Sequence, residues 1–439
     1  MKWTLPLVLG CATLSGVAEE VALPEPSGLA VAADLAADSL LVSEPLPSGD
    51  GSSALAIGEA VGLIEGGEAG RRGRWRFAPH VDVTGTFDDN IFIQPEGEVA
   101  DYILTLAPGA AFGFWDSEEE RARYLARQHG ASVIEKGTGS FLMVDYTAIL
   151  LGFARTSSQN AFDQDARFAW QWKFEKLTVG GSIHAESKSE TDADVGGRIH
   201  RKTLAAEVNA SYQLMAKSVL EVSLFETYND PEDFVRTVEW GGEAYLGYAA
   251  TPRVKVGLGI TAGQVDVEDG DDRTFERVIA GAVYSWSEKL EVSARGGVEF
   301  RQSDGVQGDL ATPIFEVRMA WMPASETRIG VEAFRRLETS SLRTDQDILL
   351  TGVAVTFQRE LRSGFHLIVD GGYQVSDYTE GSNGDNRTDR YLSLRPGLLY
   401  NFAHWGNARV TYALRRNDSD RGESSFDNNQ ITMQLSLIY

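Results

Sequence analysis

From Arg74 onward, apolar and polar residues alternate with a period of two. Trp75, Phe77, Val81, Val83 and Phe87 fall on odd positions, while Arg74, Arg76, His80, Asp82, Thr84 and Thr86 fill even ones. Successive side chains of an extended strand point to opposite faces, so this pattern predicts a strand with one greasy and one wet face. The period recurs along the chain. Ala166, Phe168, Trp170, Trp172 and Phe174 alternate with Arg167, Gln171 and Lys173; Leu204, Ala206, Val208, Ala210, Tyr212 and Leu214 alternate with Thr203, Glu207, Asn209, Ser211 and Gln213. Leu290, Val292, Ala294, Val298 and Phe300 face away from Glu291, Ser293, Arg295, Glu299 and Arg301, and Ile431, Met433, Leu435, Leu437 and Tyr439 form the last such run.

Eighteen segments of this kind, to within two, begin near residues 74, 101, 140, 165, 177, 202, 219, 237, 254, 275, 290, 312, 327, 347, 364, 389, 407 and 428. Tight turns such as Glu175-Lys176, Thr251-Pro252-Arg253 and Ser287-Glu288-Lys289 take turns with longer polar connections, among them 187–201, 265–274, 302–311, 375–388 and 416–427. Short turns at one end and long loops at the other are the pattern of a transmembrane antiparallel up-and-down β-barrel, of about 18 strands, with 16 still open. Period-two strands also build soluble sandwiches. Two features favour the barrel. Trp75, Phe87, Trp115, Tyr228, Tyr248, Trp286, Trp321, Phe357, Tyr373, Phe402 and Tyr439 lie near segment ends, where interfacial girdles form. The wet faces also carry Arg295, Glu299, Glu316, Arg318, Arg328, Glu332, Arg395, Arg409 and Arg415, which are the candidate pore-lining residues.

The amino-terminal end reads differently. Lys2, the apolar run Trp3 to Leu9 and Gly16-Val17-Ala18 form a signal peptide, residues 1–18, cut after Ala18. Cys11, the chain's one cysteine, lies inside it, and the apolar stretch before Cys11 is short for a lipoprotein signal. The mature chain then has no thiol or disulfide chemistry. Residues 19–73 hold ten acidic residues against Arg71 and Arg72 and few aromatics, which predicts a disordered acidic periplasmic arm ahead of a barrel over 74–439. Over the whole chain the formal charge is −24, the wrong sign for neutralising nucleic-acid phosphates.

Short motifs add a resemblance. Phe87-Asp88-Asp89-Asn90-Ile91, then Asp101-Tyr102-Ile103-Leu104 leading into Leu106-Ala107-Pro108-Gly109, and the strand from Asp163 to Lys176 resemble the outer-membrane β-barrel porin class, type 2. Members are often associated with exopolysaccharide gene clusters, so the resemblance implies an outer-membrane barrel and a link to polysaccharide. The aromatic terminus Leu435 to Tyr439 is similar to the signal read by barrel-assembly machinery, which gives Tyr439 an assembly role. The resemblance covers residue 74 to the end. Residues 116–139, with Asp116, Glu118, Glu119, Glu120, Arg121, Arg123 and Arg127, depart from it as an insertion able to form a short amphipathic helix.

Catalytic and cofactor motifs are scarce. None of His80, His129, His184, His200, His366 and His404 has metal-ligand spacing along the chain, and His200 with Asp192 or Asp194 is a coincidental pairing. The cluster Asp266, Glu268, Asp269, Asp271 and Asp272 lacks the ligand order of a calcium loop, and Asp88-Asp89-Asn90 reads as turn chemistry. No enzyme, metal or cofactor is expected. The expected partners are outer-membrane lipid and lipopolysaccharide, the assembly machinery, and a polysaccharide or small hydrophilic solute. Two function classes stay open: a channel for small hydrophilic solutes or saccharides, and a structural barrel plugged by 116–139 or by the arm that acts as a scaffold in polysaccharide secretion.

Overall fold

The computed structural model describes residues 75–114, 140–287, 289–303, 309–379, 386–403 and 405–438. The expected signal peptide and arm, the expected insertion over 116–139 and Tyr439 fall on residues outside them. The strands in the first third of the chain are β1 (Arg76–Asp88), β2 (Asp101–Phe114), β3 (Phe141–Phe153), β4 (Ala161–Lys173), β5 (Leu177–Asp192) and β6 (Gly197–Met215). The middle third supplies β7 (Ser218–Pro231), β8 (Thr237–Thr251), β9 (Val254–Val267), β10 (Arg273–Ser287), β11 (Leu290–Ser303) and β12 (Leu310–Ala324). The rest are β13 (Thr327–Thr339), β14 (Asp347–Arg362), β15 (Phe365–Tyr378), β16 (Arg387–Ala403), β17 (Gly406–Ser419) and β18 (Phe426–Ile438).

Each strand pairs antiparallel with its sequence neighbours, and β1 also pairs with β18 from His80↔Ile438 to Asp88↔Gln430. The sheet is therefore a closed 18-stranded barrel with no free edge, as a spanning sheet in lipid requires. Alternation decides which face is which. Along β9, Val256, Leu258 and Ile260 are exposed while Gly259 and Thr261 are buried, so the even positions meet lipid. Aromatics ring the outside at the short-turn end: Trp75 stacks on Phe112 at 5.0 Å, Phe114 meets Trp172 at 5.6 Å, Phe365 stacks on Tyr400 at 4.1 Å and Phe402 meets Trp405 at 5.5 Å. These rings place the membrane–water boundary on the barrel.

The faces support a direct test. Val208, 52% exposed in the middle of β6, points outward, whereas Ser211 lies on the opposite face. Val208→Arg is expected to destabilise the barrel by about 2 to 4 kcal/mol and Ser211→Arg to leave it nearly unchanged. Reversible unfolding from lipid vesicles measures both, and equal costs on the two faces would overturn the orientation.

Two expectations need correction. The connection read as a loop over 187–201 is mostly strand: β5 runs to Asp192 and β6 starts at Gly197, leaving only 193–196 as the turn. Strands of 13 to 19 residues exceed the roughly 9–11 needed to cross the hydrocarbon, so the surplus projects past the membrane on the loop side. There, no lipid selects apolar residues and the alternation fades. The lumen is also less uniformly polar than its charged residues suggested. Phe225, Val265, Val267 and Phe275 form one buried cluster, and Phe334, Ile348, Leu350 and Tyr378 another.

Candidate functional site

The predicted pore-lining residues all take alternating inward positions on a wall running from β11 to β17, and most are paired. Glu299 accepts from Arg277 at 2.8 Å and pairs with Arg301 at 2.7 Å. Arg318 pairs with Glu316 and, at 3.4 Å, with Glu332, so two adjacent strands share one guanidinium. Arg395 holds Asp370 at 3.1 Å, and the Arg415 Nε donates to the Asn428 side-chain oxygen at 2.9 Å. Arg328 and Arg409 share the wall, on β13 and β17. Arg295 lies over the Tyr245 ring at 5.0 Å. That ring lies flat against the wall because Gly257, Gly259 and Gly281 lie beneath it; a Cβ at Gly257 would come within 2.5 Å of its atoms.

Above this wall the mouth is crossed. β5 pairs with β4 only as far as Gln164↔Ser187, but its pairing with β6 continues to Asp192↔Gly197. Where the β4 ladder ends, the Asp163 carboxylate takes over, accepting from the Ser189 backbone N–H and hydroxyl, each at 2.9 Å. The freed hairpin turns at Asp192, whose side chain accepts from the Asp194 N–H at 2.8 Å, and at Gly196, whose φ of +74° suits glycine. Arg201 ion-pairs with Asp192 and steadies the stem.

The tip lands on strands seven places away round the sheet in either direction, the far wall of the barrel. Asp194 Oδ2 accepts from the Ser340 hydroxyl at 3.0 Å, the Ser341 N–H at 2.9 Å and the Leu342 N–H at 3.2 Å. Arg387 at the start of β16 donates to the carbonyls of Ala193 at 2.9 Å and Asp194 at 3.0 Å, while pairing with Asp389 and lying 4.6 Å over the Tyr378 ring. The receiving segment, 340–346, also gives its Ser341 carbonyl to the Val235 N–H at 2.9 Å and its Thr344 carbonyl to Arg273 at 2.8 Å. From a third side comes the connection after β1. Ile93, 2% exposed, clusters with Tyr391 and Phe426, and Ala193 of the tip packs against that cluster. Asp88 and Asn90 hold that connection: Asp88 accepts from the Asn90 N–H at 2.9 Å and from Gln430 at 2.7 Å, and Asn90 donates to the Asp427 carbonyl at 3.0 Å. Their expected turn role is what the contacts describe.

Asp194 lies outside the strands, and burial, reinforced by the Asp192 charge, raises its pKa above the ordinary carboxylate value against the pull of Arg387. Its Oδ1 is buried with no hydrogen-bond partner among the described residues, which is where a proton would sit. A carboxyl with a raised pKa in the docked state stabilises docking fully below its free-state pKa, and that stabilisation is lost as pH rises through the raised value. Acidification therefore tightens the bridge. In planar-bilayer recordings the conducting fraction is expected to fall as pH is lowered, and Asp194→Asn, which keeps the acceptor oxygen and cannot ionise, is expected to be insensitive to pH. A pH response unchanged in Asp194→Asn would exclude this carboxyl as its source.

Other candidates separate. His200 does not reach Asp192 or Asp194; it bonds Ser187 at 2.9 Å and Ser189 at 3.1 Å. The 266–272 acidic residues disperse: Glu268 pairs with Arg236 at 2.9 Å, and Asp272 accepts from the Val267 N–H at 3.3 Å. Within the lumen, His184 comes beside Asp165 and Glu186, a grouping absent from the linear spacing because strand register creates it.

Residues 272–439, from the start of β10 to the end, match the family described as "Putative beta-barrel porin 2". Over these residues the chain is porin-like. Of the motifs that carried the resemblance, only the carboxyl-terminal one falls in the matched stretch. The porin-like barrel, with its apolar outer band, is an outer-membrane protein. Among solved structures it is similar to OccK2 (OpdF) of Pseudomonas aeruginosa, with 10% identity, 82% of this chain and 98% of that chain covered, and a TM-score of 0.45. It is similar also to OccAB4 of Acinetobacter baumannii, with 10% identity, 83% and 98% coverage and a TM-score of 0.43. No curated protein matches the chain.

Proposed function

We propose that the porin-like barrel is a channel for small hydrophilic solutes or saccharides, linked to exopolysaccharide export, with its outer mouth bridged by the 193–196 tip. The observation that carries the reading is the charged wall from Arg295 to Arg415. Paired charges stabilise a protein interior little better than apolar packing of the same volume, and often worse. A wall built from them is therefore suited to contact with water and polar solutes. Purified barrel in planar bilayers tests this: steps of nanosiemens scale support the channel.

The bridged mouth favours a second reading, a structural barrel serving polysaccharide secretion as a scaffold. Silence in the native protein and in a variant with the bridge cut would support it. Lipid and lipopolysaccharide are the partners of the apolar band and the projecting loop end. The assembly machinery is the partner proposed for Tyr439, and deleting Tyr439 is expected to lower the heat-modifiable, folded fraction in membranes. An unchanged yield in membrane fractions would remove Tyr439 from that role.

A further inference from the structure

One rung below the place where β5 leaves β4, Asp165 and Glu186 are directly paired, and His184 is two residues further down the same luminal face of β5. The His184 Nε2 lies 3.2 Å from Asp165 Oδ2 and 3.8 Å from Glu186 Oε2, and the three atoms all lie within 4.8 Å of one another. We propose that Asp165, His184 and Glu186 bind a divalent transition metal of the zinc class on the lumen wall.

The spacing supports this. An ion at roughly 2.0–2.1 Å from tetrahedral nitrogen and oxygen ligands sets neighbouring ligand atoms about 3.3 Å apart; the 3.2 Å edge between His184 and Asp165 matches, and movement of Glu186 toward both shortens the other two. Backbones on two paired strands fix the ligands more precisely than loops do. Arg167, through its Nε, holds the other oxygen of Asp165 at 2.9 Å, and its Nη2 donates to Oδ2 at 2.9 Å. That grip orients the carboxylate and leaves a second lone pair of Oδ2 for the ion. All three side chains are only half-buried, so water completes the coordination. One imidazole with two carboxylates suits zinc, nickel or copper, whereas calcium takes six to eight oxygen ligands.

The test uses the full-length barrel in detergent, freed of metal by a chelator and titrated with zinc chloride by calorimetry. Binding is read without any current, so it does not depend on whether the barrel conducts. One saturable zinc per chain is expected, little affected by millimolar calcium and weakened more than about 100-fold in His184→Ala and in Glu186→Gln, since even outer partners of a ligand are worth about 10–100-fold. Heat-modifiability checks that these variants are folded. Cobalt loading of the native protein gives a second readout independent of the variants: visible d–d absorption of a tetrahedral or five-coordinate site that zinc bleaches. No saturable zinc binding, no such absorption, or zinc binding unchanged in both folded variants would overturn the site and leave His184 as a hydrogen-bond partner of Asp165.

Discussion

Arg387→Ala is expected to turn a mostly silent barrel into one that conducts for most of the recording. The guanidinium supplies the donors for both main-chain carbonyls at the hairpin tip, and hydrogen bonds to a charged donor are each worth about 1.5–3 kcal/mol. Losing both removes about 3 kcal/mol or more from docking, enough to change the docked-to-free ratio over a hundredfold. The Asp194 contacts to 340–342 remain, so Asp194→Ala is the complementary cut, and the double variant should exceed either alone because both clasp the same tip. Single-channel recording reads the outcome. A native protein already open at all times, or a double variant as silent as the native one, would show that the tip does not control passage.

The largest expected loss of stability comes from Asp347→Ala. Asp347 is fully buried at the start of β14, where Arg301 reaches it at 3.1 Å and Arg273 at 3.4 Å. Arg301 is itself fully enclosed between Asp347 and Glu299, and Arg273 is 1% exposed. Truncating the shared carboxylate leaves two guanidiniums out of water beside one another, and breaking a buried pair in this way costs about 3 to 5 kcal/mol. Asp347→Asn, which retains an acceptor, should cost less. Thermal unfolding followed by loss of β-sheet signal in detergent ranks the three proteins. If the alanine variant melts with the native protein, water reaches this cluster freely and the enclosure is not a structural support.

The barrel was legible because lipid enforces the pattern that reveals it. Each of the eighteen expected starts falls within five residues of a strand start, the largest offset being β6, expected near 202 and found at Gly197. Legibility fails where lipid stops acting. Ser187, Lys188, Ser189, Glu190, Thr191 and Asp192 are polar on both faces and read as loop, yet their ladder with β6 is unbroken. Inward apolar residues were missed for a related reason: in β10, Phe275 and Ile279 face in while Val278 faces out, so neither face looks wet. The charged residues of the wall were readable from alternation, but their partners were not. Which carboxylate meets Arg318, or that His184 meets Asp165 nineteen residues away, depends on cross-strand register, which no linear spacing encodes. The tip's landing place was beyond reach altogether, since it joins segments about 146 residues apart.

Arg387 grips carbonyl oxygens, and every amino acid has one. The Arg387 half of the clasp is thus blind to side chains, while the other half depends on the Asp194 carboxylate. Val195 can vary with little effect on the clasp, whereas Gly196, held at φ +74°, Asp192, whose side chain shapes the turn, and Asp194, whose carboxylate holds 340–342, cannot. A cell-surface segment under pressure from bacteriophage or antibody could change its outward chemistry freely while its architecture stays fixed by a few residues set back from the surface.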